Sequence, residues 1–95
     1  MTDDVLDNQE GVKKQRKSRE LELLTIRQVM KTENGRAFMW RCLQNCMTFD
    51  NIFHQDATVH AYNAGAREHG LWLERELKEA APEDYIKMRQ EHVNE

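Results

Sequence analysis

Apolar residues recur at three- and four-residue steps through most of the chain, and that period sorts it into helices. Leu21, Leu24 and Met30, flanked by Leu23, Ile26 and Val29, predict a first helix near 19–31 with Ser18 positioned to cap it. Thr32 opens a second near 33–46, in which Phe38, Met39, Cys42, Leu43 and Cys46 share one face and Arg36, Trp40, Arg41 and Gln44 the other. Asp56 is a good cap for the longest helix, 57–80, whose apolar stripe runs through Val59, Tyr62, Ala66, Leu73 and Leu77. Pro82, favoured in a first helical turn, starts a short last helix near 83–92, with Glu83 and Asp84 at its N-terminal end and Tyr85, Ile86 and Met88 toward the body. Between the second and third helices the period breaks from Met47 to Gln55. Phe49, Ile52 and Phe53 make that segment too apolar for a free loop, so it is expected to fold back over the core.

The expected fold is all-α, a small three- or four-helix bundle with a charged N-terminal arm. Residues 1–17 show no apolar period and are expected to form a flexible arm that orders only against a partner, leaving 18–95 as the helical domain. Leu, Met, Ala, Glu, Arg, Lys and Gln dominate, with one Pro and four Gly, which favours helix nearly everywhere. At 95 residues, with 39% hydrophobic and 33% charged, the chain has material for one small core, so partners are expected to supply some of its stability. The net charge of −3 hides an acidic start (Asp3, Asp4, Asp7, Glu10) followed by a basic block of Lys13, Lys14, Arg16, Lys17 and Arg19. No apolar run approaches a membrane span and no signal-peptide order opens the chain, so it is expected to stay in the cytosol where it is made.

Candidate chemistry is sparse. Cys42, Cys46, His54 and His60 form the ligand set of many structural zinc sites, but the two cysteines stand one helical turn apart on an apolar face, where cysteine packs as a small hydrophobe. No nucleophile with a base in reach and no paired carboxylates are visible, so neither an active site nor a cofactor is expected. The basic block could hold phosphate backbones without reading sequence, though no aromatic residue interleaves it. Trp40 and Trp72 lie off the stripes assigned to the core and are candidate partner-interface residues, beside the alternative that a four-helix core uses both faces.

The run Asn34-Gly35-Arg36-Ala37-Phe38-Met39-Trp40-Arg41-Cys42-Leu43 resembles the opening pattern of a small tailed-bacteriophage protein family first recognised in a Bordetella phage. Ala61-Tyr62-Asn63-Ala64-Gly65-Ala66-Arg67-Glu68-His69-Gly70-Leu71 is similar to its second signature, and Pro82-Glu83-Asp84-Tyr85-Ile86-Lys87-Met88 to its closing element, all in the family's order. Met47-Thr48-Phe49-Asp50, His54 and the charged arm depart from the pattern. The family is usually encoded among virion morphogenesis genes. The resemblance therefore implies a non-enzymatic virion or assembly protein, in many copies near the portal, tail or ejection apparatus, located in the virion and, during assembly, in the host bacterial cytoplasm. Its implied partners are other phage structural proteins and further copies of itself. A nucleic-acid-associated protein using the basic arm and a host-directed inhibitor docking through Trp40 and Trp72 are the alternatives.

Gly35, Arg36, Trp40, Gly65, Arg67, Gly70 and Leu71 carry the resemblance. Read physically, Gly35, Gly65 and Gly70 would let the second and third helices approach closely, with Arg36 and Arg67 binding carboxylates or carbonyls near the crossing.

Overall fold

A computed structural model describes residues 2–95, with side chains from Gln9 onward. It contains four helices, α1 (Thr2–Met30), α2 (Glu33–Asn45), α3 (Ala57–Ala80) and α4 (Pro82–Glu91), and no strand among the described residues. The fold is all-α. Local chemistry sets the boundaries. The Thr32 hydroxyl accepts from Gly35 N at 3.0 Å, and one Asp56 carboxylate oxygen accepts from Thr58 N and Val59 N at 2.8 and 3.1 Å, so α2 and α3 begin at side-chain caps. Helix α2 ends in a Schellman turn: Met47 takes a φ of 55°, its N–H donates to the Gln44 carbonyl, and Thr48 N–H donates to the Leu43 carbonyl.

The first helix begins well before Ser18, which lies inside it; Gln9 to Ser18 are exposed on every side. The absence of an apolar stripe in this stretch reflects the absence of a packing partner, not of helix. Acidic residues precede basic ones, Glu10 stands four residues before Lys14, and no proline interrupts, an order that suits both the helix dipole and i,i+4 pairing.

Helix α1 packs on α3 and α2, α2 also packs on α3 and α4, and α3 packs on α4. Met30, Leu43, Leu77 and Met88 are fully enclosed, joined by Trp40, Ala81 and Tyr85, with Ile26, Met39 and Leu73 packed against them. The helices are rotated from the faces expected of the sequence. Helix α1 uses Arg19, Leu23, Ile26 and Met30, leaving Leu21 and Leu24 exposed; α2 buries Arg36, Trp40 and Leu43 and exposes Phe38. In α3 only the C-terminal half is buried, so Val59 and Tyr62 face outward, as does Ile86 of α4. The molecule measures 56 × 37 × 15 Å. It is elongated because the first half of α1 leaves the packed body.

The signature glycines separate into two kinds. A Cβ on Gly70 would lie 2.0 Å from Thr48 Oγ1 and 2.8 Å from Cys46 Cβ, so α3 crosses the end of α2 through this position. Thr48 cannot step aside, because its hydroxyl donates to the Leu43 carbonyl at 2.7 Å in a buried position. A Cβ on Gly35 would meet Val29 O at 1.8 Å, so this glycine admits the end of α1 and not α3. Gly65, in contrast, has nothing within 4 Å and serves no crossing within the chain. Gly70→Ala is therefore expected to lower the unfolding free energy by about 2–3 kcal/mol through overpacking. Gly65→Ala should raise it by about 0.5–1 kcal/mol through helix propensity. Chemical denaturation followed by circular dichroism distinguishes the two; equal effects would refute this assignment.

Candidate docking surfaces

Arg36 is buried at the N-terminal turn of α2, where all of its guanidinium nitrogens find partners. Nη1 donates to the Met30 and Lys31 carbonyls at 3.0 Å each, Nε donates to Glu91 Oε1 at 2.6 Å, and Nη2 donates to Glu91 Oε2 at 3.1 Å. It therefore satisfies end carbonyls of α1 and grips the last turn of α4 in a two-pronged pair. The expected carbonyl and carboxylate partners are present, on α1 and α4. Arg67 is half-buried and makes no ion pair among the described residues.

Arg19, read from sequence as part of a phosphate-binding block, is instead committed to packing. It donates to Glu76, to Glu79 at 2.7 Å and to Glu22 at 3.0 Å, pinning α1 across α3. Its strongest partner is half-buried Glu76, whose carboxyl this hydrogen bond holds below the usual carboxylate range. Lys13, Lys14, Arg16 and Lys17 remain exposed on the projecting part of α1. A cationic helix stands clear of the body, one residue shorter than the block.

Trp40 also departs from expectation. Only 7% exposed, it belongs to the core and is not a free docking residue. Its ring stacks on Phe49 at 5.5 Å and on His92 at 5.4 Å, and the Arg89 guanidinium lies 4.2 Å from the Phe49 centroid and 5.4 Å from that of Trp40. Phe49 thus folds back from the segment after α2, as its apolar character requires. These side chains line an open groove of about 620 Å³ between α2 and α4, with Gln44, Thr48, Tyr85, Ile86 and Val93 among its other walls. The buried Tyr85 hydroxyl donates to Glu74 at 2.7 Å, and burial pushes its pKa up to about 12, so it stays protonated and acts as a fixed donor.

Trp72 is the exposed tryptophan, at 47%, with His69 against it at 5.3 Å; Leu71 beside it is half-buried. Cys42 and Cys46 are half-buried free thiols. His54 accepts from Asp56 N at 2.9 Å, and His60 sits edge-on to Phe53. Among the described residues no three His, Cys, Asp or Glu side chains gather closely enough to hold a metal ion, so these four residues are not brought together as ligands. No helix of the described residues is long and apolar enough to cross a membrane.

A family model described as Bbp19-like phage protein matches residues 26–90. The chain belongs to that family. The match opens at Ile26, on the packed turn of α1, and runs through α2, α3 and nearly all of α4, leaving the projecting half of α1 outside it. No curated protein and no solved structure matches this Bbp19-like chain. Within the matched span, Gly35, Arg36, Trp40 and Gly70 build the bundle, whereas Gly65 lies on an open surface.

The Arg36 hydrogen bonds hold the Glu91 carboxyl below its usual range. A carboxyl whose pKa is depressed by folding contributes stability that is complete above the unfolded pKa of about 4.3 and is lost as pH falls through the folded value. The wild type is expected to lose melting temperature progressively below about pH 4, and Glu91→Gln to be less stable at pH 7 with a shallower acid slope. Thermal melts from pH 7 to pH 3 check this; parallel slopes for the two proteins would rule out the Arg36 pair as a source of acid sensitivity.

Proposed function

We propose that this Bbp19-like protein is a non-enzymatic component of the phage particle or of its assembly, present in many copies near the portal, tail or ejection apparatus and docking on other structural proteins and on itself. Family membership supports the phage setting. The observation that carries the reading is the amount of surface left uncovered. The chain exposes 7369 Å², against about 5,700 Å² for a compact monomer of 11.3 kDa. The excess, roughly 1,600 Å², is enough for about two standard interfaces, each of which buries about 800 Å² per partner. It comes from a helix that leaves the packed body and from the exposed first half of α3. Surface of this kind gains its missing burial from neighbours.

Mass spectrometry of purified particles tests the proposal, with detection at many copies per particle as the expected result. Consistent absence from particles would overturn it and favour a protein acting on a host target.

A second reading, nucleic-acid association, is favoured by one observation: Lys13, Lys14, Arg16 and Lys17 stand exposed around a projecting helix. If that helix holds phosphates, binding of the free chain to duplex DNA will weaken steeply with salt, and changing all four to Gln will reduce the slope by up to about 4. Salt-independent binding, or none, would remove this reading.

A further inference from the structure

Gly65 presents a physical problem that the isolated chain does not answer. A glycine inside a helix costs roughly 0.5–1 kcal/mol relative to alanine, and is ordinarily explained by a close neighbour or a left-handed backbone. Gly65 has neither: no atom stands within 4 Å of its missing Cβ, and its φ is not positive. It lies midway along α3 on the open side of the helix. At about 100° per residue, Thr58, Ala61, Gly65 and Trp72 fall within roughly 60° of one line, with Tyr62 and His69 beside it on one flank and Glu68 on the other. All seven are exposed, Tyr62 at 75% and Trp72 at 47%.

Their sizes are ordered. The small residues Thr58 and Ala61 precede Gly65, and the large His69 and Trp72 follow it. We propose that this face docks on the same face of a second copy, with the two α3 helices antiparallel and crossing at Gly65. A two-fold axis through residue 65 sets position 65+n against 65−n. Trp72 then covers Thr58 of the partner subunit, His69 covers Ala61 of the partner subunit, and Tyr62 packs beside His69 of the partner subunit on their shared flank; each contact occurs twice. Gly65 meets its own copy at the point of closest approach, where a side chain would hold the helices apart. The parallel arrangement would set Trp72 on Trp72 and Thr58 on Thr58, bulk on bulk and gap on gap. The complementarity in size thus selects a second copy in the antiparallel sense.

The pairing rests on the multi-copy reading above for its partner but fails separately from it. A chain abundant in particles yet monomeric in solution would sink the pairing and leave the particle reading standing.

Sedimentation equilibrium of the full chain at up to about 100 µM should report twice the 11.3 kDa chain mass. Gly65→Arg should return that mass to the monomer while keeping helical content and melting temperature at or above the wild-type values measured at low concentration. That second readout separates a lost contact from a lost fold. In a background with Cys42→Ala and Cys46→Ala that retains wild-type helicity, Gly65→Cys should cross-link to itself under mild oxidation. A mixture of Ala61→Cys and His69→Cys chains should form the mixed dimer in preference to either homodimer. A monomer at all concentrations, a dimer that survives Gly65→Arg, or cross-linking favouring residue 61 on residue 61 would each overturn the proposal.

Discussion

One guanidinium holds three of the four helices together. Arg36 projects from the start of α2 into the corner where α1 stops and α4 stops, and its nitrogens reach the Met30 and Lys31 carbonyls and both oxygens of Glu91. Lysine has the charge but not the planar fork needed to face a carboxylate and two carbonyls in fixed directions. The surrounding sequence serves that placement. Thr32 caps α2 so that its first turn forms immediately after α1, and Gly35, one residue before the arginine, admits the Val29 carbonyl that any side chain would exclude. Met30 and Met88 are fully buried in the same bundle, so polar fastening and apolar core reinforce each other.

The remaining contacts fasten α3. Arg19 ties it to α1 through Glu76 and Glu79, and Gly70 lets it lie against Thr48 at the end of α2. Both act on the stretch from 70 to 80, which is where the buried residues of α3 are found. The first half of α3 is a continuation of a well-anchored helix and not a wall of the core. Val59 and Tyr62 are apolar and helically spaced yet exposed, because the packed body ends before it reaches them.

This explains which features the sequence makes legible. Caps and breakers act within a few residues, so Thr32, Asp56 and Pro82 mark helix starts that can be read directly. The facing of each helix depends on where its neighbours lie, and there a reading by apolar period misjudges Arg36 and Trp40. An arginine with four good acceptors is a core residue, and a tryptophan covered by Phe49, Arg89 and His92 is no longer surface, but neither set of partners is local in sequence. The long α1 was hidden for the opposite reason. A helix that touches nothing needs no stripe, and only its charge order and lack of breakers mark it. The basic cluster was visible in the sequence, whereas the loss of Arg19 from it to an ion pair with α3 depends on residues 57 and 60 positions away.

Gly65 and Gly70 show why residue type alone does not assign a role. They sit five positions apart on one helix and so point in different directions, one into the end of α2 and one into open space. If both existed for crossings within the chain, a second neighbour would stand against Gly65, and none lies within 4 Å. A small bundle divides its helix faces into those that close its own core and those that remain outward, and a glycine on an outward face lowers the stability of the isolated chain with no compensation inside it. Compensation from outside requires an approach closer than a side chain permits. The same bareness that is a defect in the monomer is what lets a second backbone come near, so the outward glycine and the surface in excess of a compact monomer have one physical explanation.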